Sequence, residues 1–429
     1  MTEYWHLRDR YVRRTAGSLN CFVPDSVRLE GSPTGVLSDK TFVVKDLFAV
    51  AGHTSSFGHA RWRESHSESD VTATVVEKLR DAGATMLGLT KLDQLAYSLI
   101  GNIGEGEPPV NSLYLDRFTG GSSSGTASAV AGGVCDFGVG TDTAGSIRVP
   151  AASCGLFSIR PTHGAIDPSG ALPLAPSFDV VAILAKEPSV LRDAFGSVVS
   201  RELKRPAPVE RVLLPADCLG SLDSNVAEVI LELASLLRDR IGVEIRETSF
   251  ARFTDDLVAD LFARLQAREI WATHSAWILE NRRFLAPDVQ ARLERAALLS
   301  QSTDEEKATD VRAWEKYRRD YEDVTTRGTA ILIPVMPGLP PRRDASADEL
   351  LKFRVGSFQW TAPSSLTGSP QAVVPVRRDG SGLTYGVGLL GTKGQDVSLL
   401  TAICSAFEGG KISSSFGVMR RRPEGGGLL

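Results

Sequence analysis

The sequence predicts an α/β fold, and three observations carry the prediction. Residues 41–50, TFVVKDLFAV, and residues 85–91, TMLGLTK, are apolar and have the length of buried strands. Between them, residues 71–84 repeat apolar side chains at helical spacing. A strand, a helix and a strand within about fifty residues are typical of α/β folds with a partly parallel sheet.

Later segments predict one domain built from distant parts of the chain. Residues 124–134, SGTASAVAGGV, are small and apolar, and predict a buried helix packed closely on its neighbours. Further strands are predicted at 329–337, 372–376 and 383–391. Because the segments before 165 and these strands need each other to complete a sheet, we predict a single domain over 1–429. The charged interval 190–328 is expected to be a helical variable region within it.

Composition narrows the classes of function. The 429 residues carry a formal net charge of −4 and are 42% hydrophobic, so the chain can bury a large core and offers no basic surface for nucleic acid. No apolar run approaches the roughly 18 residues that span a membrane, and the N-terminus lacks the apolar core of a signal peptide. Five scattered cysteines without a CxxC pair predict free thiols in the cytoplasm, and neither a metal site nor a cofactor.

The hexamer GGSSSG at 120–125 allows two interpretations. An isolated Gly/Ser hexamer is usually a flexible linker. Here it leads into the predicted buried helix, so it would present backbone N–H groups and hydroxyls at a helix start. It is not a phosphate-binding loop, because no GK[ST] follows.

Ser146, in GTDTAGSIRVPAA at 140–152, is a candidate nucleophile that needs a base. The nearest histidine in sequence is His163, which is more simply a loop residue. Lys45 ends the first predicted strand, and burial can lower a lysine pKa by several units. Lys45 is equally well explained by an ion pair with the neighbouring Asp46, and the residues alone leave both interpretations open.

The chain resembles the amidase signature family of serine hydrolases in three motifs, which are the Lys45-Asp46 pair, GGSSSG and GTDTAGSIRVPAA. Their order and the separation of the two serine motifs also match that family. The resemblance implies an α/β/α sandwich with a mixed central sheet. It also implies a catalytic triad. Ser146 forms the acyl-enzyme, Lys45 is the base, and Ser122, which is held by a cis peptide bond, passes the proton between them.

The same resemblance assigns supporting roles around the triad. The residues whose backbone would stabilise the oxyanion are Thr143, Ala144 and Gly145. Ser123, Asp142 and Arg148 would orient the loops, although an ordinary structural ion pair explains Asp142 and Arg148 equally well.

The resemblance implies an amidase that hydrolyses a small carboxylic amide to acid and ammonia, and at whole-chain level the layout is similar to the indole-3-acetamide hydrolase-like amidases. Ala144 and Thr119 depart from the family pattern, and the alanine also occurs in allophanate hydrolases. A urea derivative such as allophanate or biuret is therefore an alternative substrate. The resemblance also admits an amidotransferase subunit with a partner and a catalytically silent docking module. Family members are often dimers, so a homodimer is possible.

Overall fold

Ten strands of the computed structural model form one mixed sheet, and the structure describes residues 15, 17–104, 106–204, 207–378 and 381–407. The strands are β1 (Thr41–Lys45), β2 (Thr85–Thr90), β3 (Phe137–Asp142), β4 (Phe157–Arg160), β5 (Val180–Ala185), β6 (Arg211–Pro215), β7 (Glu244–Thr248), β8 (Thr329–Pro334), β9 (Gln371–Arg377) and β10 (Thr384–Leu390). Their order across the sheet is β2-β1-β3-β5-β4-β9-β10-β8-β6-β7. Neighbours are parallel at both ends, among β2, β1 and β3 and among β8, β6 and β7, and antiparallel in between.

Helices pack on both faces of this sheet. In the described part of the chain they are α1 (Ala60–Glu64), α2 (Thr74–Asp81), α3 (Ser124–Ala131), α4 (Arg148–Cys154), α5 (Pro188–Val198), α6 (Ala216–Leu219), α7 (Ser224–Ile241), α8 (Asp256–Asn281), α9 (Pro287–Ser300), α10 (Asp304–Val324), α11 (Ala347–Thr367) and α12 (Asp396–Phe407). Every residue of β1, β3, β5, β8 and β10 is buried. Since successive side chains of a strand point to opposite faces, both faces are covered, which confirms the predicted α/β/α sandwich with a mixed sheet.

The interval 190–328 was predicted to be a helical region, but in the structure it contains strands as well as helices. It contains α7 to α10, but it also contributes β6 and β7 to one end of the sheet. The charged composition of the interval concealed the short apolar run of β6, Val212–Leu214, which pairs in parallel with β8. We propose one domain over 1–429, because strands from both sides of this interval share the sheet.

Helix α11 was not expected from the sequence. Gly356 and Pro363 lie inside it and weaken a helical prediction. Its start does carry a signal, because Ser346 and Glu349 form a reciprocal capping box in which each side chain accepts the other residue's backbone N–H. None of the helices in the described ranges is long and apolar enough to cross a membrane.

The candidate site lies where three parallel strands end. β1 ends at Lys45, β2 at Thr90 and β3 at Asp142, so their carboxyl ends share one edge of the sheet. Helices α3 and α4 begin at the same edge, shortly after Ser122 and Ser146 respectively. Sites of α/β folds form at the carboxyl ends of parallel strands, and here the topology gathers segments that lie far apart in sequence.

Candidate active site

Lys45 is fully buried and contacts a serine hydroxyl. Its Nζ lies 2.7 Å from Ser122 Oγ and 3.1 Å from Thr141 Oγ1. The ion pair with Asp46 does not form. Asp46 instead accepts the backbone N–H of Ser56 at 2.8 Å and lies 2.8 Å from His53 Nε2. The lysine amine is therefore directed to the serine motif.

The environment of Lys45 favours its neutral form. Burial lowers the pKa of Lys45 to about 7, although the negative charges of Asp93, Asp142 and Asp179 oppose this shift. Burial also raises the pKa of Asp93 to about 6, against a hydrogen bond from the Gly101 N–H. An amine with a pKa near neutrality can accept a proton at physiological pH.

The serine motif is joined to the segment that carries Ser146. The peptide bond between Gly121 and Ser122 is cis. The Ser123 N–H donates to the Ser146 carbonyl at 3.1 Å, and the Ser122 carbonyl accepts the Asp93 N–H at 3.2 Å. Ser122 and Ser146 are both buried, and no hydrogen bond within the described ranges joins their two hydroxyls. The Ser123 hydroxyl is buried without a hydrogen-bond partner in the same ranges.

The turn between β3 and α4, residues 143–147, is the nucleophile loop. Its carbonyls are fixed by helix α11, since Thr361 Oγ1 donates to the Ala144 carbonyl at 2.7 Å and Ser365 Oγ to the Thr143 carbonyl at 2.8 Å. The Gly145 N–H donates to Asp142 Oδ1 at 2.9 Å. The Gly145 N–H is therefore already hydrogen-bonded to Asp142, whereas we expected from the sequence that it would stabilise the oxyanion. The backbone N–H groups of Thr143, Ala144 and Ser146 donate no hydrogen bond in the described part of the chain.

Asp142 organises this loop through a buried ion cluster. Its carboxylate contacts Arg148 Nε at 2.9 Å and Nη2 at 2.8 Å, and Arg160 Nη1 at 3.1 Å. Burial would raise the pKa of Asp142, but the two arginines hold it well below its usual value. The same carboxylate accepts the N–H groups of Gly145 and Ile147. From the sequence, an ion pair and a loop-orienting role were alternatives for Asp142 and Arg148. In the structure the same Asp142 carboxylate makes both sets of contacts.

Gly145 has a conformation that other residues rarely adopt. Its φ is +118°, and a Cβ there would lie 2.9 Å from Thr361 Cγ2. We expect Gly145→Ala to lower the free energy of unfolding by roughly 1–3 kcal/mol and to reduce activity. Urea unfolding measures the change.

The matched control for Gly145→Ala is Gly196→Ala, in helix α5, where an added Cβ meets nothing within 4 Å. Because alanine is the better helix former, we expect this control to be neutral or stabilising. Equal effects of the two substitutions would contradict the strain assigned to Gly145.

Several residues of the site were missed by the sequence analysis. They are Asp93, Thr141, Arg160, Asp179, Thr361 and Ser365. Asp179 accepts the Thr143 hydroxyl at 2.5 Å and the Leu174 N–H at 2.7 Å, so it joins the nucleophile loop to residues 174–179. The available signals were the position of Asp93 shortly after the apolar strand TMLGLT and that of Asp179 directly before the apolar run VVAILA.

A pocket of about 330 Å³ adjoins the cluster. Thr141 and Asp179, which bond Lys45 and Thr143 respectively, belong to its wall. Most of the remaining lining is apolar and includes Leu47, Ala96, Ile166, Leu172, Leu174 and Val181. His163 also lines it, and its Nε2 lies 3.1 Å from the Pro176 carbonyl, in keeping with the simpler interpretation as a loop residue.

Comparison with known proteins agrees with the motifs. The family model described as Amidase matches residues 24–400. "Amidase 1" of Arabidopsis thaliana is 31% identical over 403 residues, covering 86% of this chain and 92% of that protein. "Translocon at the outer membrane of chloroplasts 64" of Pisum sativum is 28% identical over 364 residues, covering 79% of this chain and 61% of that protein.

A solved structure agrees at the level of the fold. It is described as "Crystal structure of amidase" and superposes with a TM-score of 0.75 at 26% identity, covering 87% of this chain and 85% of the other. The family match spans most of the sequence and confirms the resemblance carried by the three motifs. The chain therefore belongs to the amidase family and is, by class, an amide-hydrolysing enzyme.

Proposed function

We propose that this protein hydrolyses a small carboxylic amide to the acid and ammonia, with Ser146 as nucleophile, Ser122 as bridging serine and Lys45 as base. The observation that carries the proposal is the 2.7 Å contact between Lys45 Nζ and Ser122 Oγ, made by an amine whose pKa burial lowers to about 7. A serine hydroxyl is a poor nucleophile until a base takes its proton, and Lys45 supplies that base within hydrogen-bonding distance.

The first half of the reaction forms an acyl-enzyme. Neutral Lys45 takes the proton of the Ser122 hydroxyl as Ser122 takes that of Ser146, and Ser146 Oγ forms a bond to the amide carbon. The developing oxyanion is stabilised by the backbone N–H groups of Ala144 and Ser146, which donate no other hydrogen bond in the described part of the chain. When the C–N bond breaks, the proton returns through Ser122 to the nitrogen, and ammonia leaves.

The second half uses the same relay with water. Lys45 and Ser122 take a proton from a water molecule, whose oxygen bonds to the ester carbon. The C–O bond to Ser146 breaks, the Ser146 oxygen regains its proton, and the acid is released. Substrate binding must bring Ser122 Oγ and Ser146 Oγ within hydrogen-bonding distance, since catalytic contacts often shorten only in the complex.

A panel of amides tests this proposal through ammonia release. The panel contains indole-3-acetamide, phenylacetamide, malonamide, biuret and allophanate. Because the pocket is largely apolar, we expect carboxylic amides with a carbon substituent to be hydrolysed faster than biuret and allophanate. Turnover confined to the two urea derivatives would contradict the assigned substrate class and favour a urea-derivative hydrolase.

We also propose a small-molecule amide as the binding partner, and a cytoplasmic location. The five cysteines are buried and form no disulfide bond in the described part of the chain, which suits a reducing compartment. A homodimer stays a prediction, and so does the absence of a partner subunit. Co-purification of a second chain needed for ammonia release would contradict the stand-alone amidase and favour an amidotransferase subunit.

A further inference from the structure

A second cavity, of about 380 Å³, lies at the edge of the sheet opposite the candidate active site. Its wall includes Lys186, which directly follows β5, and Arg377, which ends β9. Ala185 of β5 pairs with Phe137, the first residue of β3, whereas the nucleophile loop follows the last residue of that strand. We call this space, lined by Lys186 and Arg377, the basic cavity.

Helices α3 and α4 lie between the basic cavity and the two serine motifs. Both helices begin beside those motifs, and their last residues, Ala131 and Cys154, line the cavity. At 1.5 Å per residue, helices of 8 and 7 residues span about 10–12 Å. The basic cavity also shares no lining residue with the substrate pocket. A small molecule bound in it would therefore not reach the Ser146 hydroxyl.

Both cations of the basic cavity lack a counter-charge in the described part of the chain. Neither side chain forms an ion pair or a hydrogen bond there, and none of the described residues that line the cavity is acidic. The neighbouring Arg378, by contrast, pairs with Glu228 at 2.5 Å. Lys186 is half-buried and Arg377 is exposed, so both are accessible to a ligand. Two positive charges on one cavity favour an anion.

Hydrogen bonds fix the part of the wall that residues 112–114 form. The Tyr114 hydroxyl accepts the Thr384 N–H at 2.7 Å and donates to the Thr384 carbonyl at 3.3 Å, which joins this segment to β10. Asn111 Oδ1 accepts the N–H groups of Leu113 and Tyr114 at 3.0 Å and 3.2 Å. A wall that is already ordered lowers the entropic cost of binding a ligand.

Most of the remaining lining of the basic cavity is apolar. It includes Leu113, Ala131, Leu156, Phe157 and Pro375. An inorganic anion would pair with the two cations but leave this apolar surface uncovered. A molecule that carries both an anionic group and a hydrocarbon or aromatic body complements both parts of the cavity.

We propose that the basic cavity is a second ligand site, separate from the catalytic one, which binds an organic carboxylate with an apolar body. The planar donor fork of Arg377 matches a carboxylate, and Lys186 provides a further charge-assisted hydrogen bond. The apolar body of the ligand covers the apolar lining. The inference goes beyond the proposed function and does not depend on it, because no residue of the triad takes part.

Isothermal titration calorimetry of the full chain tests the ligand class. The probes are the linear carboxylates from butanoate to octanoate and 3-phenylpropanoate. Their matched probes are the alcohols of equal length, which lack the charge, and acetate and inorganic phosphate, which lack the apolar body. We expect one saturable site per chain, with a Kd of about 1 mM or lower for the best carboxylate and at least about 10-fold weaker binding of every matched probe.

Two outcomes of this titration would overturn the inference. One is the absence of saturable binding of any of the carboxylates, which would mean that the two cations are simply solvated. The other is an alcohol or inorganic phosphate that binds as tightly as the best carboxylate.

Substitutions locate the site. Lys186→Met and Arg377→Met should each raise the Kd of the best carboxylate by about 10-fold, because each removes one charge-assisted hydrogen bond. Ala131→Leu keeps both charges but fills part of the cavity, and should also weaken binding. The control is Lys352→Met, which removes an exposed positive charge from helix α11 and should leave the Kd unchanged.

The two charge substitutions decide the inference without turnover. Both side chains are accessible and lack a partner in the described ranges, so their replacement should leave the Tm unchanged. A Kd that neither Lys186→Met nor Arg377→Met changes would place the carboxylate elsewhere and overturn the inference. If the Kd responds as expected but no amide is hydrolysed, the proposed function fails and the inference stands.

Discussion

The Ser146→Ala protein is expected to release ammonia at least about 10⁴-fold more slowly than the wild type from every amide that the wild type accepts. Without the hydroxyl there is no acyl-enzyme, and the pocket and the oxyanion donors provide only residual rate enhancement. Because Ser146 is buried and its hydroxyl forms no hydrogen bond to Ser122, the substitution should leave the fold intact. Ammonia release under single-turnover and steady-state conditions measures the loss.

The control for this substitution is Ser197→Ala, in helix α5. The Ser197 hydroxyl donates only to the Asp193 carbonyl, one turn earlier in the helix, so its loss should not change the rate. A Ser146→Ala protein that keeps more than about 1% of the wild-type rate, with unchanged circular dichroism, would exclude Ser146 as the nucleophile.

The second large effect concerns Lys45 and pH. Because the neutral amine is the reactive form, kcat/KM should rise with pH through an apparent pKa of about 7 and reach a plateau above it. Lys45→Met should abolish this rise and lower the rate by about 10²–10⁴-fold. A pH–rate profile from pH 5 to 9.5, with chemistry rate-limiting, measures both effects.

The carboxylate of Asp93 provides a control for this assignment. Its negative charge raises the pKa of Lys45, so Asp93→Asn should move the midpoint of the profile to lower pH. An unmoved midpoint, or one near the pKa of a free lysine, would contradict Lys45 as the titrating base.

The same shift has a consequence for stability. The pKa of Lys45 is about 7 in the folded protein and 10.5 in an unperturbed lysine, so between these values the unfolded chain binds more protons. The contribution of Lys45 to the free energy of unfolding therefore increases as the pH rises from about 7 to about 10. Below pH 7 the folded protein bears the full free-energy cost of burying the charged amine. Lys45→Met should remove that pH dependence and be relatively more stable near pH 6, as measured by urea unfolding.

Sequence patterns predicted the elements that have local signals. The apolar runs of β1, β2 and β8 and the helical spacing of α2 were sufficient, because burial on one or both faces is visible in the order of residues. β3, with the sequence FGVGTD, has no apolar run. Glycine is needed at two of its positions because side chains of neighbouring elements lie too close for a Cβ. Gly140 is an example, since a Cβ there would lie 2.6 Å from Ser123 Oγ. Such a strand is identifiable only from its partners.

The same distinction applies to the site. Lys45, Ser122 and Ser146 were predicted because three motifs occur in a familiar order. Thr361 supports the loop from more than two hundred residues away, and that pairing exists only after folding. The engagement of the Gly145 N–H by Asp142 likewise depends on the shape of the turn. Residues proposed to do chemistry were thus visible in local sequence, and most of the residues that position them were not.

Mapping a covalent label tests the proton relay most directly and needs no knowledge of the natural substrate. An alkyl fluorophosphonate forms a bond between phosphorus and an activated serine oxygen and loses fluoride. Our account predicts one labelled peptide, modified at Ser146, with labelling at least about 100-fold slower in Lys45→Met and in Ser122→Ala. Labelling at another serine, or an unchanged rate at Ser146 without Lys45, would contradict the relay.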